Sequence, residues 1–317
     1  MFLICRGLVK RSLLMAALSV LLFSFAQGQK QAGTSFRSIT VSTEPGAVVW
    51  VDGVRFGKAN ESGNLEITTI SPGAHTIKVR SAGFKEKSQP LTAAQKGEIK
   101  IPLVKTDDEA ELAFQEAERL TGVDREKAAE AYRKAIKARP NYPDAYLALA
   151  RVLLDSGDTE EAMRALVASR RLKPGNAEAS AVEGRIHKEN GEETKAIAAY
   201  KRAITEGKGF QPEAYAGLGI LYKEKAEGVG GSGDFANEAL NYDEAAKNLK
   251  MALKQLSGAP DTIVIYQLLG LIYERQNKYA EAIATYEEFL RIFPNTTEAT
   301  AVRSFIVQLK KDMADKN

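Results

Sequence analysis

Residues 143–174 read PDAYLALARVLLDSGDTEEAMRALVASRRLKP, and this stretch decides the fold. Tyr146, Leu149, Ala150 and Leu153 recur at helical spacing in its first half, as do Ala162, Leu166 and Ser169 in its second. Gly157 stands between the halves and Pro174 closes them. Counting back 34 residues from Pro174 lands on Pro140. Pro294 closes a later copy that carries Tyr266, Leu269, Gly270, Tyr273, Ala282 and Tyr286. A period of 34 with a small residue in each half means two short helices per repeat, stacked on their neighbours.

The small residues fall in register along the chain. Ala150, Gly184, Gly219 and Gly270 hold one place in the first helices, and Ala128, Ala162, Ala196, Ala245 and Ala282 one place in the second. They let helix backbones approach closely, while Tyr132, Leu166, Tyr200, Leu249 and Tyr286 fill the space beside each contact. One helix pair buries too little apolar surface to stand alone, so each repeat leans on the next. These residues at this spacing resemble the tetratricopeptide repeat (TPR), with about five repeats over 109–294. The resemblance implies an all-α solenoid whose concave groove holds a protein or peptide.

In that family the groove is lined by the fifth, ninth and twelfth positions of each first helix. Carried over, these are Leu147, Arg151 and Leu154, then Ala181, Arg185 and Lys188. The fourth repeat contributes Ala216, Ile220 and Lys223, and the fifth Gln267, Leu271 and Glu274. Stacked Arg151 and Arg185, with Lys188 and Lys223 one turn on, suit an acidic peptide or a C-terminal carboxylate. A solvated face of alternating charge accounts for the same pattern. Arg stands where the carboxylate clamp of chaperone-binding relatives has Asn, so their ligand is not implied.

Three irregularities stand out. The first helix of the first repeat fits with a turn one residue short, which puts Ala117 and Leu120 at the packing positions. The third repeat has Ser180, Glu183 and His187 where the second has Tyr, Leu and Leu, marking either a functional surface or a loosely packed repeat. The fourth carries 14 surplus residues around a glycine-rich insertion at 226–241. The strand and Lys-Ser/Thr of a phosphate loop are missing there, so the insertion is expected to be a flexible edge loop and no nucleotide is implied. Thr296 to Met313 reads as one more helix, a cap over 295–315 with Ala301, Phe305, Ile306 and Leu309 on its apolar side.

Before the array the periodicity changes to two. Ile39, Val41, Val49 and Val51 alternate as in half-buried strands, and Asp52-Gly53 signals a tight hairpin to Val54. Further strands are expected at 66–70, 75–80 and 98–104, with Pro72-Gly73 and Ala82-Gly83 as turns. Glu44-Pro45-Gly46-Ala47, then Val49-x-Val51-Asp52-Gly53, Pro72-Gly73-x-His75 and Gly83-Phe84 resemble the PEGA domain over 37–104. The resemblance implies a small all-β, sandwich-like module of exported or surface-associated prokaryotic proteins, in which His75 beside the turn is structural. Trp50, the single tryptophan, is expected to form one wall of the small core; a sugar-stacking or partner-contact aromatic is the alternative. Lys105 to Asp108 form a short charged joint that limits how the module can sit on the first helix.

The N-terminus is expected to be an export signal. Arg6, Lys10 and Arg11 precede the apolar run Leu13 to Phe25, and Ala26-Gln27-Gly28 offers a cut after Gly28. The run is short for a spanning helix, and Cys5, the only cysteine, precedes it and so cannot carry a lipoprotein's lipid. Removing residues 1–28 lowers Lys+Arg from 44 to 41, equal to Asp+Glu at 41. A near-neutral mature chain gives no pull toward nucleic acid. His75 and His187 are the only histidines, and no metal-ligand spacing appears, so neither catalysis nor a cofactor is expected.

The multi-domain reading is therefore a non-enzymatic, exported adaptor, periplasmic, at the cell surface or secreted. Its groove would hold a protein or peptide, and the β module would dock to a second component or the envelope. The alternatives are a structural envelope component, or a carbohydrate- or peptidoglycan-binding protein acting through the β module.

Overall fold

The computed structural model describes residues 36–256 and 258–315, so the expected signal at 1–28 lies outside the described residues. Seven strands come first: β1 (Arg37–Ser42), β2 (Val48–Val51), β3 (Val54–Lys58), β4 (Asn64–Ile70), β5 (His75–Arg80), β6 (Lys87–Leu91) and β7 (Gly97–Lys100). They form a three-stranded sheet ordered β4-β1-β7 and a four-stranded sheet ordered β3-β2-β5-β6. Alternation fixes the faces: Ile39, Val41, Val49, Val51, Ile77 and Val79 are buried in one shared core. The β2–β3 turn has φ of 51° at Asp52 and 81° at Gly53, the left-handed pair a two-residue hairpin needs.

Three details differ from the sequence reading. The last strand, expected over 98–104, ends at Lys100. Strand β6 (KSQPL) lacks an apolar alternation, because it is a sheet edge where Pro90 costs no ladder bond. Trp50 is not a core wall. It points away from Val49 and Val51, is half-buried on the outer face of the four-stranded sheet, and pairs across the ladder with Arg55 and Lys78. His75 is structural: its Nδ1 lies 2.6 Å from Asp52 Oδ2 and its Nε2 2.9 Å from the Ser71 carbonyl. It thereby ties the β2–β3 turn to the β4–β5 turn.

The helices follow in pairs: α1 (Glu109–Thr121) with α2 (Arg125–Ala138), α3 (Pro143–Asp155) with α4 (Thr159–Leu172), and α5 (Ala177–Glu189) with α6 (Glu193–Glu206). Then come α7 (Pro212–Gly231) with α8 (Phe235–Leu256), α9 (Thr262–Arg275) with α10 (Tyr279–Ile292), and a last helix α11 (Ala299–Asp315). Asp108, Asp124 and Asp158 cap α1, α2 and α4 by accepting from the backbone N–H three residues on. The register residues are buried as their sizes require. A Cβ on Gly184 would lie 2.6 Å from the Tyr200 ring, and one on Gly270 2.3 Å from the Tyr286 ring. On α11, Val302, Ile306 and Leu309 are buried, whereas Ala301 and Phe305, expected on the same side, are exposed.

Each irregularity resolves physically. The first repeat is one residue short at its turn, as the spacing predicts: Asp124 N–H donates to the Leu120 carbonyl four residues back, whereas Asp158 N–H reaches the Leu153 carbonyl five back. Gly122 and Ser156, which end α1 and α3, share one backbone conformation, with φ of −88° and −93°. Ala117 is fully buried, in the place that Ala150 holds in the next repeat. The insertion is no loop. Its residues lengthen both α7, to 20 residues, and α8, to 22, so the pair projects beyond its neighbours. Ser232-Gly233-Asp234 makes the connecting turn, and its Asp234 N–H donates to the Val229 carbonyl as Asp158 N–H donates to that of Leu153. The polar face of α5 is neither loose nor open. Ser180 is fully buried and donates to Glu206 at 2.5 Å, Arg202 Nη2 lies 2.6 Å from Glu183, and Arg170 pairs with Glu183 from α4.

Packing also sets an alkaline limit. Burial pushes the Tyr132 phenol up to about 12, and raises those of Tyr142, Tyr200, Tyr266 and Tyr286 further above the ordinary value. The folded chain thus favours the neutral phenol. That contribution is complete below the unfolded tyrosine value of about 10 and declines as pH rises above it. The melting temperature is expected to hold from about pH 7 to about pH 9 and to fall steadily beyond about pH 10. A flat profile across that range in a thermal scan would refute it.

Candidate functional site: a cleft between the β module and the helices

The β module is fixed to α1 by a dense polar joint. Gln115, almost fully buried, accepts from the Gly83 N–H at 2.8 Å and donates to the Phe84 carbonyl at 2.7 Å. Beside it Lys85 N–H donates to the Val104 carbonyl at 2.7 Å and Thr106 N–H to that of Gly83 at 2.9 Å. Arg80 closes the joint with ion pairs to Glu86 and to Glu118 of α1. Its guanidinium centre lies 4.7 Å from the Phe114 ring centroid and 5.6 Å from that of Trp50. Burial raises the Glu118 carboxyl pKa, and the Arg80 charge only partly offsets this.

This joint holds the outer face of the four-stranded sheet over the concave side of the helices. Between them lies an open cleft of about 820 Å³. One wall is the cross-strand row Arg55–Trp50–Lys78, with Lys78 Nζ 4.9 Å from the Trp50 ring centroid. The other is built from the first turns of successive first helices: Asp144, Leu147 and Ala148 of α3, Glu178 of α5, Glu213 and Ala216 of α7, and Asp261 before α9. Arg55 and Asp261 make no ion pair within 4 Å among the described residues. The sheet wall is thus cationic and aromatic, and the helix wall mainly acidic.

The groove residues expected from the sequence divide into three groups. Leu147 and Arg151 line the cleft, Leu147 from within the buried core of α3 with only 4% of its surface exposed. Arg151 is held bidentately by Glu213 at 2.9 and 2.6 Å, and Glu213 also lies 4.0 Å from Arg185, so one carboxylate gathers both arginines. Burial opposes the Arg151 charge, but Glu213 outweighs it and holds the guanidinium's pKa above its usual value. Arg185, Lys188, Lys223, Ile220, Gln267 and Leu271 lie outside the cleft lining. Arg185 pairs with Asp155 at 2.8 Å, Lys188 with Glu224 at 2.9 Å and Lys223 with Glu227 at 2.8 Å. Gln267 and Leu271 are exposed and Ile220 half-buried. Leu154 is instead closed into the core that α3 shares with Ala179, Val182 and Ile186 of α5. Among the described residues no His, Cys, Asp or Glu cluster has metal-binding geometry.

Sequence reasoning did not bring Trp50, Arg55 and Lys78 into the groove, nor Glu213 between the arginines. One signal was available. Glu111, Gln115 and Glu118 make a polar stripe on the helix that the β module covers.

Comparison with known proteins follows the two modules. Residues 36–107 match the PEGA domain, and residues 124–186, 177–206 and 230–295 match tetratricopeptide repeat families. Among solved structures, yeast Tom70 is 16% identical with a TM-score of 0.51, the alignment covering 65% of this chain and 41% of Tom70. A thermophilic TPR protein of Thermus thermophilus is 19% identical with a TM-score of 0.47, covering 63% of this chain and 98% of its own. MamA protein is 24% identical with a TM-score of 0.42, covering 62% and 96%. None of the curated proteins matches the sequence.

Proposed function

We propose, from the premise that the chain carries a PEGA domain followed by tetratricopeptide repeats, that it is an exported, non-enzymatic adaptor whose partner enters the cleft between the two. TPR arrays support an interaction-scaffold role, and PEGA domains occur in exported proteins. Among the described residues no helix is long and apolar enough to cross a membrane. The observation that carries the reading is the cleft itself, since residues from the sheet and from helices α1, α3, α5 and α7 converge on one open space. Arg151 contacts the partner there, and Leu147 forms the floor beneath it. Gln267 and Leu271 extend the same contact along α9, beyond the cleft. The expected cations Arg185, Lys188 and Lys223 order the groove through their ion pairs and meet the partner only at its rim.

The test is retention from envelope extract on immobilised chain starting at Gln29. Trp50→Ala combined with Ala216→Arg removes the aromatic wall and fills the opposite one. A partner held by the native protein is expected to bind at least about tenfold more weakly, about 1.4 kcal/mol. Equal retention by a folded double variant would sink the cleft as the site. Trp50 in a polar cleft also keeps open the carbohydrate reading. Sedimentation with purified cell wall, abolished by Trp50→Ala alone, would establish that second reading instead.

A further inference from the structure

The contacts on the two sides of the β module are unequal. On the α1 side the module is fastened by the Gln115, Lys85 and Thr106 hydrogen bonds and the Arg80–Glu118 ion pair. On the far side it faces α8 and the segment before α7. There Arg291 of α10 lies 5.7 Å from the Phe36 ring centroid and Thr69 of β4 packs beside Gly258, but no hydrogen bond or ion pair among the described residues joins the module to helices α7 to α11. The side chains that meet there, Val54, Phe56 and Ile70 against Phe210 and Met251, line a pocket of about 350 Å³ that opens to solvent. Close-packed contacts leave no such opening, so the two sides touch here over a small area. Elements with few buried contacts and no hydrogen bonds open first.

We propose that the β module is a lid over the concave face, hinged at its joint with α1 and free to swing away from α8. The joint supplies the pivot because Gln115 fixes the Gly83–Phe84 turn to α1, and that turn is bonded in its own right to the run at 104–106 that leads into α1. Closure is driven by the charges across the cleft. Arg55 and Lys78 on the sheet face Asp144, Glu178 and Asp261 on the helices, with no ion pair within 4 Å between the two sets. Attraction across such a gap acts without locking and weakens as salt shortens the screening length. The closed lid keeps a long partner out of the groove, so entry requires opening. This inference rests on the cleft being the partner's seat. The motion is nevertheless measurable with no partner present, so a rigid lid would leave the binding reading standing.

The test uses two pairs of spin labels on the full mature chain, in double electron–electron resonance. The far pair, at Ser62 and Lys247, spans the cleft, and the near pair, at Lys85 and Glu116, spans the joint; all four positions are exposed. The near pair is expected to give one narrow distance. The far pair should give a main distance plus a longer one, with the longer one several-fold more populated in Arg55→Glu and at about 0.5 M salt, where the screening length falls to a few ångströms. A far pair as narrow as the near pair, unmoved by salt or by Arg55→Glu, would overturn the lid. Broadening of both pairs together would overturn the hinge, since the module would then be loose on every side.

Discussion

Tyr200→Ala is expected to cost about 3–5 kcal/mol of unfolding free energy, the largest loss of any single side chain in the array. The Tyr200 ring is fully buried and lies against two glycines from successive first helices. A Cβ on Gly184 of α5 would lie 2.6 Å from the ring, and one on Gly217 of α7 2.4 Å from its Cζ. Neither glycine can supply atoms to a vacated space, and the flanking helices can close it only by moving together. Tyr200→Phe should behave oppositely. The phenol oxygen is buried with no hydrogen-bond partner among the described residues, so its removal leaves stability unchanged or slightly raised. Denaturant midpoints of the two variants decide the matter; a phenylalanine variant as damaged as the alanine one would contradict this packing.

The second large effect belongs to the joint. Arg80→Ala leaves the Glu118 carboxylate buried against Phe114 with no cation in contact, and frees Glu86 as well. Orphaning a buried charge costs about 3 kcal/mol at the lower end of the usual range, and Glu118 retains enough solvent contact to place it there. The loss should depend on pH with a definite sign. Without Arg80 the main opposition to desolvation is gone, so the Glu118 pKa, already above its ordinary value in the native protein, rises further. The penalty is larger at about pH 7.5 than at about pH 5, because a carboxyl with a raised pKa gains its proton as pH falls. Thermal scans at the two pH values should therefore show the variant closer to the native protein in acid. A gap that widens in acid would contradict the assignment.

Much of the architecture was legible because it is written in local spacing. The period of 34, the small residues at Ala150, Gly184 and Gly270, and the Asp52-Gly53 turn each follow from backbone geometry acting over a few residues. The lengthened α7–α8 pair was legible in part, since Ser232-Gly233-Asp234 repeats Ser156-Gly157-Asp158 and marks the same turn. Four glycines nearby suggested a loop instead. Helical glycines cost only about 1 kcal/mol each, and Gly230 leaves room for the Glu238 carboxylate, which a Cβ would approach to 2.5 Å. The cleft was not legible, because it depends on where one module is held relative to another. No periodicity in residues 37–104 states which sheet face turns toward the helices. Likewise the pairing of Arg151 with Glu213 spans 62 residues and joins first helices two repeats apart. Spacing places both side chains on the inner side but does not say that they neutralise each other.

The central claim is that the partner's seat lies between the sheet and the first helices. The most direct measurement places a photo-crosslinking residue at Ala148, inside the cleft, and another at Lys134, on the exposed side of α2. Both proteins are irradiated in their native envelope, with a third that adds Trp50→Ala to the Ala148 probe. The account predicts one discrete adduct from Ala148, absent from Lys134 and lost with Trp50→Ala. An adduct from Lys134 with none from Ala148 would place the partner on the outer surface and contradict it.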